Sequence, residues 1–189
     1  MEPFDLLRLL SETLERLRIP YYVTGSMASG AHGDPRFTND IDIVLALDMN
    51  QIDELCAAFP ESDFYWSRAA TVLAVRTKFQ FNILHPESGL KADMIVSKDD
   101  AFSRSALSRA VRLSDPAFTA WFASPEDIIL NKLLFYRAGG SDKHIRDIAG
   151  VLKIQAERID RAYIEGWVER FGLHAEWQLA LERSTTPFP

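Results

Sequence analysis

Hydrophobic residues recur at helical spacing at the start of the chain. Leu6, Leu7, Leu10, Leu14 and Leu17 fall on one face of a segment from Asp5 to Arg18, and Pro20 stops it. The period then changes. Tyr21-Tyr22-Val23-Thr24 has the aromatic and β-branched content of a short buried strand, and it runs into Gly25-Ser26 and small residues as far as Gly33. That order predicts a strand, a tight turn and the start of a short helix, with His32, Gly33, Asp34 and Pro35 forming a loop. In Asp40-Ile41-Asp42-Ile43-Val44-Leu45 acidic and apolar residues alternate at the start, so both carboxylates point to one face of a strand while Ile41 and Ile43 turn into a core.

Further along, Asp48 is placed to cap a helix ending near Phe59, with Ile52, Leu55, Cys56 and Phe59 as its buried face. Thr71 to Arg76 and Lys78 to Leu84 read as strands, the second alternating Phe79, Phe81 and Ile83 against Gln80 and Asn82. His85-Pro86-Glu87-Ser88-Gly89 has the chemistry of a reversal, and Leu90 to Val96 is the returning strand. A helix over Asp99 to Ala110 and a hairpin over Val111 to Ala123 follow. At Ser124-Pro125-Glu126-Asp127 the character changes: a Ser cap, Pro at the first position and acids in the first turn begin a helix that stops at Gly139-Gly140. Helical segments then run over Asp142 to Lys153, Asp160 to Phe171 and His174 to Arg183, leaving a tail from Ser184 to Pro189 that is expected to fray. The boundary between two domains is placed near Ala123.

Composition narrows the classes. The 189 residues are 47% hydrophobic and 25% charged, enough apolar material for a core domain with a small appended one, and disorder is not indicated. With 21 Lys and Arg against 27 Asp and Glu the net charge is −6, which argues against a strongly basic nucleic-acid coat and leaves room for a local basic groove. Cys56 is the single cysteine, so a disulfide scaffold and a Cys-based zinc site are excluded, and it reads as a small core residue. The acidic, amphipathic first segment lacks the pattern of a secretion signal, and no run approaches the ~18 apolar residues of a membrane span. A cytoplasmic protein without membrane contact is expected.

Candidate chemistry gathers in two places. A glycine at the turn lets backbone N–H groups approach a ligand, and a helix N-terminus presents unpaired donors to an anion, so Gly25-Ser26 suits phosphate. Asp40 and Asp42 are unfavourable neighbours without a cation between them, and hard divalent ions such as Mg²⁺ take carboxylates together with substrate phosphates. Arg36 and Thr38 stand between the two pieces. Asp93 interrupts an apolar strand and must be hydrated, paired or bound to a cation. Beside the first acidic strand it completes a cluster of three carboxylates able to hold two divalent ions; on an edge strand it simply faces water. His32, with no second His or Cys nearby, reads as a solvated or hydrogen-bonded side chain rather than a metal ligand. Downstream, Lys132 lies in an apolar helix and His144, Arg146 and Asp147 gather charge near the start of the next. A cation reaching the phosphates with an acid orienting an acceptor is one reading; a Lys132–Asp147 ion pair tying two helices together is the other.

These residues resemble the nucleotidyltransferase superfamily with a DNA polymerase β-like palm: Gly25-Ser26, a spacer, Asp40-x-Asp42 on a strand and a third acid, Asp93, on a later one. Arg36-x-Thr38, the Ser124-Pro125-Glu126-Asp127 start followed by Lys132, Arg146-Asp147-Ile148, and Ile159-Asp160 with Tyr163 and Trp167 make the chain look most like the AbiEii-type toxin group. The resemblance implies an α+β fold, with a small mixed β-sheet palm and flanking helices over residues 1–123 and a helical domain over 124–189. It also implies transfer of a nucleoside monophosphate from an NTP to a hydroxyl, with Mg²⁺ (or Mn²⁺) held by Asp40, Asp42 and Asp93. Gly25, Ser26, Arg36, Thr38 and Lys132 would bind the nucleotide, Asp93 would help deprotonate the acceptor, and Lys91, Arg146 and Asp147 would serve the acceptor or an ion pair. A tRNA or other RNA end is the expected acceptor and an antitoxin protein the expected partner of such a toxin. An aminoglycoside or lincosamide antibiotic as acceptor, or a nucleotide-binding regulator without turnover, are the alternatives.

Overall fold

The structure is a computed structural model and describes residues 1–34 and 38–185. Its elements in chain order are α1 (Pro3–Arg16), β1 (Tyr21–Thr24), α2 (Gly25–His32), β2 (Asp40–Leu45), a 3-10 turn (Met49–Gln51), α3 (Ile52–Ala57), α4 (Arg68–Thr77), β3 (Gln80–His85) and β4 (Leu90–Val96). Then come α5 (Ala101–Arg109), β5 (Val111–Asp115), β6 (Phe118–Phe122), α6 (Pro125–Gly139), α7 (Asp142–Gln155), α8 (Arg161–Phe171) and α9 (His174–Thr185). The chain forms two compact units, one of Met1–Met27 with Phe37–Ala123 and one of Ala28–Arg36 with Ser124–Pro189.

In the first unit the strands make one mixed sheet in the order β3-β4-β2-β1-β6-β5. β2 runs antiparallel to β1 and parallel to β4, while β1 and β6 are parallel. Alternation decides the faces. Val23, Ile41, Ile43, Ala92, Met94, Phe81, Ile83 and Phe122 are buried, and α1 packs on β6 and β2 while α4 packs on β3 and β4. The face of α1 that meets the core is the one its leucine spacing predicts: Leu6, Leu7, Leu10 and Leu14 are fully buried. A reciprocal Glu2–Asp5 capping box starts that helix.

One expected strand is a helix. Thr71 to Arg76 lies inside α4, whose N-cap Ser67 accepts from the Ala70 N–H and whose buried residues Ala74 and Val75 both lie about one helical turn from buried Thr71. The run of β-branched residues was the misleading signal, and packing of a helical face overrides it. Lys78 then adopts a left-handed conformation (φ 52°) and its N–H returns to the Ala74 carbonyl, so the next strand starts only at Gln80 and Phe79 is left exposed before it. Cys56 is buried, and burial pushes its thiol up to about 11.

The second unit is helical. His32, read as a loop residue, closes α2 and is buried, and its backbone carbonyl accepts from Gln155 Nε2 at 3.0 Å. Two glycines allow the chain to pass this closely. A side chain on Gly33 would meet the Val151 nitrogen at 2.9 Å, and one on Gly150 would meet Asp34 at 3.3 Å. The helix start at Ser124 is as read: its hydroxyl accepts from the Asp127 N–H. The acids of that first turn are buried. Asp127 is fully buried, accepting from the Tyr163 hydroxyl (2.8 Å) and from the Ser124 hydroxyl (2.8 Å), and buried Glu126 accepts from the Asp160 N–H (2.9 Å). These bonds tie α6 to the start of α8 and satisfy carboxylates that would otherwise be costly inside. α9 extends through Ser184 to Thr185, so the expected frayed tail begins inside a helix, and its last residues lie outside those described. Among the described residues no helix is long and apolar enough to cross a membrane.

The buried phenol of Tyr21 links α1 to β6, donating to Glu15 and accepting from the Trp121 N–H, each at 3.4 Å. Burial above all raises it from 10.0 to about 12, so above pH 10 the unfolded chain loses a proton that the folded one keeps. Stability is therefore expected to fall between about pH 10 and 12, and urea unfolding of Tyr21→Phe should show a shallower alkaline decline than the native protein.

Candidate functional site

The parallel register of β2 on β4 sets Asp42 opposite Asp93 and Asp40 opposite Lys91. Residues opposite one another in a sheet project to the same face, so the three carboxylates share the face that the core does not use. The pairing continues outward on both sides. Asn82 on β3 is opposite Asp93, and Thr24 on β1 is opposite Asp42. A row of polar residues, Asn82, Asp93, Asp42 and Thr24, thus crosses four strands, with Leu84, Lys91 and Asp40 as the row beside it. Asp93 is on an inner strand, and the edge-strand reading is set aside.

Three like charges on one face need compensation, and Lys91 supplies part of it. Its Nζ lies 2.9 Å from Asp93 Oδ2 and 3.9 Å from Asp40 Oδ1. The hydrogen bond that it donates to Asp93 holds the Lys91 ammonium above its ordinary range, and the charges of Asp93, Asp40 and Asp42 add to this against a desolvation effect. With its amide nitrogen turned to the strand partner, Asn82 donates to Asp93 Oδ1 at 2.8 Å. Both oxygens of Asp93 are therefore engaged by the chain itself. Asn82 was not singled out from sequence; its signal was a carboxamide on the polar side of an alternating strand, which becomes informative only once β3 is known to flank β4.

Does the donor set suit a divalent ion? Three hard carboxylate oxygen donors on one face, with an ammonium already drawn between two of them, have the chemistry such an ion requires. Among the described residues, no three His, Cys, Asp or Glu side chains stand close enough together to ligate an ion as they are. The arrangement is one in which Lys91 holds Asp93.

Gly25 is where the turn meets the acids. Its φ is +66°, a conformation that favours glycine, and a Cβ there would lie 1.8 Å from Asp42 Oδ2. The Asp42 carboxylate thus rests against bare backbone at the head of α2, beside half-buried Ser26. Thr38 exchanges 3.3 Å hydrogen bonds with the Asp40 backbone, which shapes the entry to β2. Arg36 lies outside the described residues.

In the second unit Lys132 and Asp147 form an ion pair at 2.5 Å, with side chains only 7% and 11% exposed. Of the two readings open for this pair, the tie between α6 and α7 is the contact present. Arg146 is exposed on α7.

Gly25→Ala is expected to lose roughly 2 kcal/mol or more in urea unfolding, since it adds both left-handed strain and overlap with Asp42. Gly139→Ala, a helical position with nothing within 4 Å of its Cβ, should be neutral or stabilising by up to about 1 kcal/mol.

No protein-family model matches the chain, and no curated protein does. Solved structures do. An antigenic nucleotidyltransferase-like protein from Paracoccidioides brasiliensis is 25% identical, with 79% of this chain and 75% of that one covered and a TM-score of 0.52. The antibiotic-resistance factor ANT(2'')-Ia is 12% identical, with 93% and 96% covered and a TM-score of 0.59. The lincosamide antibiotic adenylyltransferase LnuA is 11% identical, with 82% and 98% covered and a TM-score of 0.54. The α+β architecture, a mixed sheet with flanking helices and a helical second part, is that of these nucleotidyltransferase-like structures.

Proposed function

We propose that the chain is a nucleotidyltransferase that moves a nucleoside monophosphate from an NTP onto a hydroxyl. The observation that carries this reading is the pairing of Asp42 with Asp93 on one face, with the Gly25 turn pressed against Asp42. Fold likeness to nucleotidyltransferases supports it. The acceptor oxygen bonds to the α-phosphorus, the bond from that phosphorus to the bridging oxygen breaks, and pyrophosphate leaves. In this reading Gly25 and Ser26 receive the triphosphate at the head of α2, and Asp93, oriented by Lys91 and Asn82, takes the acceptor's proton. Asp40 and Asp42 would hold Mg²⁺ or Mn²⁺, which supplies charge neutralisation at the phosphates.

Two acceptors are argued from different grounds. The sequence resemblance to AbiEii-type toxins favours an RNA end such as that of tRNA, with an antitoxin as protein partner. The solved structures that match nearly their whole length include antibiotic adenylyltransferases, which favours a small molecule of the aminoglycoside or lincosamide kind. Labelled NTPs with Mg²⁺, offered total tRNA and an antibiotic panel in parallel, separate them by which product carries label. NTP binding without pyrophosphate release over every acceptor would instead support a regulatory nucleotide-binding protein.

Asp42→Asn keeps the shape and removes one charge from the cluster. It should lower transfer by roughly a thousand-fold, about 4 kcal/mol of transition-state stabilisation, while the circular dichroism spectrum stays unchanged. Wild-type transfer by this variant would remove Asp42 from the site.

A further inference from the structure

Lys91 makes and breaks no bond in the reaction just described, yet its ammonium stands between two acids of this face, 2.9 Å from Asp93 and 3.9 Å from Asp40. Its neighbours in register are Asp40 across on β2 and Leu84 on β3, and its ammonium leans from its own strand onto Asp93 two residues on. About a third of the side chain is exposed, and its ammonium is held by the charges of Asp93 and Asp40. Each Asp93 oxygen accepts one bond from the chain, Oδ2 from Lys91 and Oδ1 from Asn82, and the ammonium stands where a second cation would have to come.

We propose that Lys91 stands in for a second metal ion, so that the nucleotide-free protein takes a single divalent ion on Asp40 and Asp42 while Asp93 is kept out of the metal shell. Lys91 is thereby a positioning residue: it fixes the Asp93 carboxylate where an acceptor hydroxyl is to be met and blocks a second ion from claiming it. The inference rests on the metal-site reading given above, and its test separates the two.

Mn²⁺ alone, titrated into the full chain and followed by electron paramagnetic resonance, counts the bound ions and shows broadening when two lie close together. The native protein should bind one Mn²⁺ per chain. Lys91→Met, which leaves three carboxylates without their ammonium, should bind a second, with the first about tenfold tighter. Lys91→Arg keeps the charge and should stay at one, and Asp93→Asn introduced into the Lys91→Met protein should return it to one. Lys91→Gln repeats the comparison should the methionine variant be poorly folded by circular dichroism. Two ions in the native protein, or one ion of unchanged affinity in Lys91→Met, would overturn the role of Lys91 and leave the metal site standing. Absence of Mn²⁺ binding in native and variant chains alike would remove the metal site itself, and this inference with it.

Discussion

The parallel, in-register pairing of β2 with β4 is the constraint on which the site depends. It places two carboxylates side by side, an arrangement that costs energy when nothing offsets the charge. The opposite face of the same two strands enforces it: Ile41 against Ala92, Ile43 against Met94 and Leu45 against Val96 are all buried. Because side chains alternate, a slip of one residue would bury Asp93 and expose Met94 together. The core therefore holds the acids in place, and the repulsion between them is met locally by Lys91 and Asn82.

The turn at Gly25 obeys a related logic. β1 ends at Thr24, opposite Asp42, so the chain must leave the sheet where a carboxylate already stands. A residue without a side chain and with positive φ solves both problems at once. What results is an anion-seeking backbone directly beside an anionic side chain. Such a juxtaposition favours a cation between carboxylate and phosphate, which is why the two features argue for a nucleotide more strongly together than apart.

Much of this was legible in the chain. The alternation at Asp40 fixes which face its carboxylates take, and the Ser124 cap marks the start of α6 because both signals are local. The strand order was not: nothing in the spacing of Asp42 and Asp93 says that their strands are neighbours, since that is settled by what covers the apolar face. Thr71 to Arg76 misled because β-branched residues weakly favour strands, whereas the spacing of Thr71, Ala74 and Val75 fits a buried helical face equally well. Asp127 was legible as a first-turn acid but not as a buried one, and its Tyr163 and Ser124 partners explain why it can be buried. For Lys132 the sequence left two partners open, and the short contact to Asp147 is a matter of how α6 meets α7.

The polar row is also asymmetric. At the β1 end stand the Gly25 turn, Thr24 and Asp42, with backbone N–H groups at the head of α2; at the β3 end stand Asn82, Asp93 and Lys91. Under the proposed reading the triphosphate belongs to the first end, where backbone donors and a carboxylate-held cation meet. The acceptor hydroxyl is left the second, where a fixed carboxylate is available and the neighbouring charges are balanced. Donor chemistry thus resides in backbone and in β2, elements locked by the sheet, while the acceptor side is built from side chains on β3 and β4. A fold divided in this way can keep one donor reaction and exchange its acceptor by changing few residues, which is why function must be argued from the site and not from the likeness of the whole.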